Sequence, residues 1–360
     1  MIPGPRKRPL RSFILPGLFV GALFYTLWAR RAQPPTEADG RHLTEMKGDT
    51  MGTTFSVKVI SPTLTTDAQD AQLQRAIVGA LTQVNDAMST WKDDSELSRF
   101  NQHRSTEPFP LSTDTLTVLQ AARGVTEASG GAFDVTIKPL VGLWKFGSDA
   151  AEWESEPSSA EIALQMGRVG QDKLALTATT AQKEMPDLTV DLGAIAKGYA
   201  VDKVSLAVEA LGTREYLVEI GGEVRARGHN AAGVDWRIGI EKPDAIRGTL
   251  QEVVALRDVS LATSGDYRNY YEDTDGNRVS HTIDARTGRP ITHTLASVSV
   301  LHEEAMMADA WATALSVLGP EDGLALAEEQ GLPVLMLVRE APGQFAVRST
   351  SGFDAYRVTE

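Results

Sequence analysis

Residues 188–220 contain the pattern that decides the fold, and their sequence is LTVDLGAIAKGYAVDKVSLAVEALGTREYLVEI. A short β-prone run starts at Leu188, apolar positions follow at helical spacing over 194–211, and a second β-prone run covers 216–220. Beyond this unit, further short β-prone runs recur between glycine-rich turns, at 236–241, 252–256, 259–262, 279–283, 297–301 and 334–338. Because strands outnumber crossover helices, the sequence predicts an α+β fold with mainly antiparallel sheets and packed helices.

The remaining elements fit the same class. A strand is predicted at 55–60, and a helix follows whose apolar positions run from Leu73 to Met88. Another helix is predicted from Ser112 to the stop signal Gly130-Gly131, and the last one ends at Gly319-Pro320 after starting near 303. The acidic stretch 149–159 is predicted to be a surface loop.

Charge and cysteine content exclude several classes of function. The net charge is -13, and all six charged residues up to position 31 are basic, which leaves 29 basic residues against 48 acidic ones. An acidic surface of this kind repels phosphate backbones, so nucleic acid is not an expected partner. The chain has no cysteine, which excludes disulfides, thiolate metal sites and a lipid anchor on an N-terminal cysteine.

The N-terminus predicts export. Four basic residues precede an apolar run over 13–28, and Arg30 and Arg31 follow it. This pattern indicates an N-terminus that stays in the cytoplasm and a body placed outside. We expect residues 1–31 to be an uncleaved signal anchor in preference to a cleaved signal peptide, residues 32–46 a linker, and residues 47–360 the folded domain. The expected location is a single-pass protein of a bacterial inner membrane, with its body in the periplasm.

Three segments before position 201 are candidates for chemistry. Each also has a structural interpretation: the turn TMGTT (50–54) as a plain strand entry, and GGAFDVT (130–136) as a helix stop with a buried Phe. The third, DLGAIAKGYA (191–200), begins a helix, where free amides and the helix dipole favour phosphate. A simple capped helix start is an equal alternative there.

Two later segments carry polar groups of a different kind. SGDY (264–267) is followed by SHTIDARTGRP (280–290), in which His281 is a candidate general base, although a lone histidine is more often structural. In AMMADAWATAL (305–315), Asp309 and Thr313 are one helical turn apart and are flanked by alanines. Oxygen ligands without histidine or cysteine suit Mg²⁺, although such a pair alone is more often a surface hydrogen bond.

With all five segments in this order, the chain resembles the ApbE family of FAD:protein FMN transferases. The resemblance covers about 48–318 and implies a two-lobed, T-fold-like body with FAD bound in a cleft. It implies cofactor-contacting positions, which are Met51, Trp91, Ala132, Phe133, Asp134, Asp191, Lys197 and Ile283. It also implies a Mg²⁺ site formed by the side chains of Asp309 and Thr313 and the carbonyl of Ala194. His281 is implied to be the general base.

The resemblance further implies a reaction and its partners. The FMN part of FAD would move to a threonine or serine hydroxyl of an exported segment, in membrane redox complexes such as sodium-translocating quinone reductase or Rnf-type subunits. Two alternatives use the same residues or fewer: a Mg²⁺-dependent FAD pyrophosphatase, and a non-catalytic flavin-binding protein of the cell envelope. The role of Lys197 is open, since it could pair with a phosphate or with Asp191.

Overall fold

The computed structural model describes residues 40–146, 156–243, 249–265, 270–272, 278–341 and 343–358. The predicted membrane segment, most of the predicted loop at 149–159, and Asp266 and Tyr267 lie outside these residues. None of the helices in the described ranges is long and apolar enough to cross a bilayer.

The described residues form eight α-helices, two short 3₁₀ helices (Gln171–Lys173 and Ser351–Tyr356) and seventeen strands. The helices are α1 (Asp67–Met88), α2 (Glu96–Gln102), α3 (Thr113–Ala128), α4 (Lys138–Leu143), α5 (Ser159–Met166), α6 (Ala196–Ala210), α7 (Ala305–Leu318) and α8 (Asp322–Glu329). The strands are β1 (His42–Thr50), β2 (Thr53–Ser61), β3 (Phe109–Pro110), β4 (Leu174–Leu176), β5 (Thr180–Lys183), β6 (Tyr216–Ile220), β7 (Glu223–Arg227), β8 (Trp236–Glu241), β9 (Leu250–Leu256), β10 (Val259–Gly265), β11 (Tyr270–Glu272), β12 (Arg278–Ser280), β13 (Ile283–Asp284), β14 (Arg289–Pro290), β15 (Leu295–His302), β16 (Val334–Ala341) and β17 (Gln344–Ser349).

One eight-stranded sheet is the centre of the molecule. Its strand order is β1-β2-β6-β7-β10-β15-β16-β17, and every neighbouring pair is antiparallel. Side chains alternate between its faces: Tyr216, Val218 and Ile220 of β6 join the core beneath the helices, whereas Leu217 joins the core on the other face. The predicted α+β class with mainly antiparallel sheets is confirmed.

Two boundaries differ from the sequence-based prediction. β1 starts at His42, inside the predicted linker, and pairs along its whole length with β2. The predicted strand at 279–283 is interrupted, because β12 ends at Ser280 and β13 begins at Ile283. At the interruption the Ser280 hydroxyl accepts a hydrogen bond from the Thr282 amide at 3.2 Å, a side-chain turn that competes with strand pairing. His281 therefore lies between two strands.

Helices α6 and α7 cross at very short range on one face of the sheet. A Cβ atom added at Gly198 of α6 would lie 2.2 Å from the carbonyl oxygen of Ala305, so only glycine fits this crossing. Asp202, one turn further along α6, accepts hydrogen bonds from the amides of Ala305 at 3.0 Å and Met306 at 2.9 Å. The N-terminus of α7 lacks a side-chain cap of its own, and Asp202 caps it from the neighbouring helix.

A second group of elements lies beside the main sheet and forms its own apolar cluster. Leu140, Trp144 and Ile162 from the α4–α5 region pack with Ile283 and Ala285. The Trp144 indole donates to the Gly288 carbonyl at 2.9 Å, which ties the two segments together. This cluster forms the second wall of the space described below.

A buried lysine holds the C-terminal end of α2 against the main core. The Lys183 ammonium donates to the carbonyl of His103 at 3.0 Å and lies 4.6 Å from the centre of the Phe100 ring. Only 1% of the surface of Lys183 is exposed to solvent. Asn101, in the same turn, both donates to and accepts from the Val190 backbone, which fixes the chain just before Asp191.

The buried Lys183 makes the free energy of unfolding depend on pH in the alkaline range. Burial lowers the pKa of Lys183 to about 8 from the ordinary 10.5, so the cost of burying the charge is fully present below pH 8 and disappears as the pH rises toward 10.5. We expect the unfolding free energy of the protein to rise relative to that of Lys183→Met by up to about 3 kcal/mol across this window. Urea unfolding of both proteins between pH 7.5 and 10 measures the difference, and a difference independent of pH would contradict it.

Candidate functional site

A cavity of about 700 Å³ lies between the sheet-and-helix body and the second wall. One side is formed by α7, the start of α6, the first residue of β7 and the end of β10. The other side is formed by the chain after α3 and by the interruption between β12 and β13. The lining segments are 132–146, 191–197, 263–265 and 281–283, together with Glu223 and α7.

Ten of the twelve residues predicted to form the site line this one cavity. They are Ala132, Phe133, Asp134, Asp191, Ala194, Lys197, His281, Ile283, Asp309 and Thr313. Met51 and Trp91 do not. Met51 is half-buried against the main core in the turn between β1 and β2, where its φ is 50°, and Trp91 is 78% exposed just after α1.

The segment after α3 is organised by Asp134. One oxygen of its carboxylate accepts hydrogen bonds from the Thr136 amide at 2.7 Å and the Thr136 hydroxyl at 2.6 Å, and the other accepts from the Gln171 amide at 3.0 Å. Burial raises the pKa of Asp134, although these three bonds oppose the rise. Asp134 therefore shapes the loop that carries Phe133 into the cavity wall.

The turn into α6 is held by backbone and side-chain bonds. The Asp191 amide donates to the Val135 carbonyl at 2.7 Å, and the Asp191 carboxylate accepts from the Gly193 amide at 2.8 Å. Helix α6 begins without a side-chain cap. In its first turn the Ala196 amide donates to the Leu192 carbonyl at 2.8 Å and the Gly198 amide donates to Asp309 at 3.0 Å, so the cavity receives the positive end of the helix dipole and not a row of free amides.

Asp309 links the two crossing helices at the bottom of the cavity. The Gly198 amide is one of the first-turn amides that have no partner within a regular helix, and it donates to the Asp309 carboxylate at 3.0 Å. Ala194 precedes the N-cap Ile195 and lies in the cavity lining.

The donors at this point fit a magnesium ion. A carboxylate, a hydroxyl and a main-chain carbonyl, from Asp309, Thr313 and Ala194, give only hard oxygen ligands, as Mg²⁺ prefers. The described residues contain no group of three or more His, Cys, Asp and Glu residues able to hold a metal. A cation here would therefore take its remaining ligands from water and from a phosphate-bearing substrate.

Sequence reasoning missed Glu223, which lines the same cavity. It is the first residue of β7, and its carboxylate binds the Lys197 ammonium at 2.7 Å. The same ammonium lies 3.6 Å from Asp309. The second oxygen of Glu223 is buried and has no hydrogen-bond partner in the described part of the chain. An acid directly after Gly221-Gly222, at the end of an apolar strand, is the only local signal that could have found it.

Two buried carboxylates, of Glu223 and Asp309, lie on either side of the half-buried Lys197 ammonium. Burial raises the pKa of Glu223 to about 7, and the nearby Asp309 carboxylate adds to the rise while Lys197 opposes it. Burial lowers the pKa of Lys197, but Asp309 and Glu223 outweigh it, so the pKa of the ammonium is raised. Lys197 is thus a fixed positive charge at neutral pH. It is also the only Lys or Arg among the described cavity-lining residues.

The cavity as a whole is acidic. Among the described residues, the lining contains the four carboxylates of Asp134, Asp191, Glu223 and Asp309 against the single Lys197 ammonium. A polyphosphate ligand would be repelled by this excess of negative charge unless a divalent cation accompanied it. Apolar side chains of Phe133, Ile137 and Ile283 line other parts of the wall, so the cavity suits a ligand with both a flat apolar portion and a charged portion.

By its fold and its cavity, this chain is an α+β protein with an acidic, oxygen-lined site beside a large antiparallel sheet. The chain belongs to the ApbE family, whose model matches residues 51–336.

Relatives and solved structures agree with this assignment. The chain is 46% identical over 311 residues to the FAD:protein FMN transferase of Vibrio cholerae, covering 86% of this chain and 92% of the relative. It is 36% identical to the protein of the same name from Escherichia coli, over 97% and 99% of the two chains. The structure of the flavin transferase ApbE from Vibrio cholerae matches with a TM-score of 0.79 and 44% identity, over 88% of this chain and 99% of the other. The apo form of the Pseudomonas stutzeri flavinyl transferase ApbE matches with the same TM-score at 38% identity, over 88% and 96%.

Proposed function

We propose that this chain transfers FMN from FAD to a threonine or serine hydroxyl of an exported protein segment, in a Mg²⁺-dependent reaction that releases AMP. The observation that carries the proposal is that one cavity combines the Asp309, Thr313 and Ala194 oxygens with His281 and an apolar wall. The names of the relatives support the same activity.

The bonds of the reaction can be assigned to groups in the cavity. The acceptor hydroxyl oxygen forms a bond to the FMN-side phosphorus, and the bond from that phosphorus to the bridging oxygen breaks, so AMP leaves. His281 takes the proton of the attacking hydroxyl. Mg²⁺ held by Asp309, Thr313 and the Ala194 carbonyl would offset charge on the pyrophosphate oxygens.

The other lining groups bind and orient the donor. The Lys197 ammonium supplies a fixed positive charge for the phosphates, and Phe133 and Ile283 offer apolar surface to the flavin ring. We keep Met51 and Trp91 as proposed flavin contacts from outside the cavity lining. The exposed indole of Trp91 is free to stack on a ligand.

The activity is tested by intact-mass analysis of an acceptor domain co-expressed with residues 41–360. A mass gain of one FMN unit supports the transferase. Release of FMN and AMP from FAD without any gain would replace it by a pyrophosphatase, and bound, unchanged FAD would indicate a non-catalytic flavin-binding protein.

His281→Gln is expected to lower the rate of FMN transfer about 100-fold while FAD affinity stays within a factor of about two, because general-base catalysis contributes to the reaction and not to donor binding. Single-turnover transfer and flavin-fluorescence titration measure the two quantities. His302→Gln, which alters a histidine outside the cavity lining, is the control. Equal transfer rates for His281→Gln and the unaltered protein would remove His281 as the base.

We also propose that residues 1–31 anchor the protein in the inner membrane and that the body acts in the periplasm on exported segments of membrane redox complexes. The basic residues before the apolar run support this orientation. Alkaline phosphatase fused after residue 46 would be active in cells if the body is exported, and inactive if it remains in the cytoplasm.

A further inference from the structure

We infer that Glu223 is a positioning residue that holds the Lys197 ammonium away from Asp309 and so keeps the Asp309 carboxylate available to a divalent cation. This inference rests on the proposed metal site and adds to it a residue of β7 that supplies no ligand.

The distances show which carboxylate controls the ammonium. The Lys197 nitrogen is 2.7 Å from Glu223, a charge-assisted hydrogen bond, and 3.6 Å from Asp309, beyond hydrogen-bond range. A lysine side chain on the first turn of α6, next to a buried acid on α7, would otherwise bind that acid directly. Glu223 instead takes the short contact at 2.7 Å, and Asp309 keeps only a longer ion-pair contact at 3.6 Å.

The position of Glu223 in a firmly held strand supports this role. Glu223 is only 4% exposed, and it lies in β7 directly after the tight turn at Gly221-Gly222, where both glycines have positive φ. β7 is paired on both sides, with β6 and with β10. The backbone that carries the carboxylate is therefore fixed, and burial limits how far the side chain moves if the ammonium shifts toward Asp309.

One carboxylate oxygen of Glu223 has no hydrogen-bond partner among the described residues, which indicates that the oxygen serves a ligand or water in the cavity. Its second oxygen is buried without a partner in the described residues, a state that costs stability and is retained where a site requires it. Asp309 already uses one oxygen for the Gly198 amide. A divalent cation and the Lys197 ammonium would therefore compete for the other oxygen of Asp309.

The test is binding of Mn²⁺ alone to the full-length protein, measured by the loss of the free-ion EPR signal. We expect Glu223→Gln to raise the Kd for Mn²⁺ about 10-fold or more, because the released ammonium moves onto Asp309; changes to groups around metal ligands have effects of this size. Adding Lys197→Met to Glu223→Gln should restore the Kd to within a factor of about three of the unaltered protein, because the competing ammonium is gone.

Glu223→Asp separates positioning from net charge. It keeps the negative charge but withdraws the carboxylate by about 1.5 Å, one carbon–carbon bond, so we expect a Kd raised like that of Glu223→Gln. A Kd equal to that of the unaltered protein would show that charge alone matters and would overturn the inference. Glu252→Gln breaks a comparable ion pair, with Arg357, outside the cavity lining and should leave the Kd unchanged.

Asp309→Asn distinguishes the two levels of the proposal. If the unaltered protein binds Mn²⁺ and Asp309→Asn does not, the metal assignment stands, and the Glu223 variants decide the positioning role. If Asp309→Asn binds Mn²⁺ as well as the unaltered protein does, the metal assignment fails and the inference about Glu223 fails with it. If Mn²⁺ binding depends on Asp309 but Glu223→Gln does not change the Kd, the positioning role of Glu223 is overturned and the metal assignment stands.

Discussion

Asp309→Asn should lower the rate of FMN transfer about 1,000-fold or more while leaving the protein folded. A divalent cation on a transferring phosphoryl group contributes several kcal/mol of charge stabilisation, and about 4 kcal/mol corresponds to 1,000-fold. An asparagine side-chain oxygen can still accept the Gly198 amide that now donates to Asp309. The substitution therefore removes the charge that would hold the cation and keeps the link between α6 and α7.

Three measurements decide this prediction: the single-turnover rate of transfer to an acceptor domain, the Mg²⁺ concentration for half-maximal rate, and the melting temperature. Asp322→Asn, an exposed acid at the start of α8, is the matched control and should change none of them. A transfer rate within tenfold of the unaltered protein would place the metal elsewhere. A collapse of the melting temperature would mean that the lost activity reports folding and not chemistry.

Gly198→Ala should destabilise the protein by about 3 kcal/mol or more, at the upper end of what overpacking costs. The added Cβ would lie 2.2 Å from the Ala305 oxygen and 2.7 Å from the Met306 Cα. Both are backbone atoms of α7, so no side chain can rotate to relieve the contact. The two helices must separate, which also breaks the bond from the Gly198 amide to Asp309.

Gly79→Ala is the matched control for this substitution. Gly79 lies within α1, and nothing lies within 4 Å of a Cβ added there. We expect it to stabilise the protein by about 0.5–1 kcal/mol, because alanine loses less backbone entropy than glycine in a helix. Urea denaturation compares the two variants. Similar unfolding free energies for both would show that the close crossing of α6 and α7 is not a constraint in solution.

Local patterns were sufficient for most elements of the fold. The β-prone run over 216–220 predicted β6, and Ser112 together with the stop signal Gly130-Gly131 predicted α3, whose N-terminus Ser112 caps. The antiparallel arrangement followed from short strands and glycine-rich turns. These features depend on neighbours in sequence, which is why they can be predicted without the structure.

The parts that could not be predicted depend on contacts between distant residues. Gly198 looks like an ordinary helix position, and its role comes from Ala305, more than a hundred residues away. Glu223 has no pattern around it that distinguishes it from a surface acid at a turn. The interruption at His281 depends on a hydrogen bond from Thr282 to the Ser280 side chain, and alternation of residue types does not reveal such a bond.

The site was found in part through the resemblance and in part through residue chemistry. Asp309 and Thr313 share a face because of helical spacing, and the structure places both in the cavity with Ala194. The separate positions of Met51 and Trp91 reflect the turn and helix end that carry them, and their roles stay predictions. What no residue pattern indicated is that Lys197 lies between two acids.

The carboxylates that join α6 to α7 have a consequence for how the cavity changes shape. Asp202 fixes the first two amides of α7, and Asp309 binds the Gly198 amide, so both helix ends are tied across the crossing. The oxygen donors of Asp309, Thr313 and Ala194 therefore belong to one preorganised body, set in place when the chain folds. Arrival of a ligand then demands little reorganisation of these donors, and any opening and closing must come from the opposite wall, carried by α4, α5 and the strands around His281.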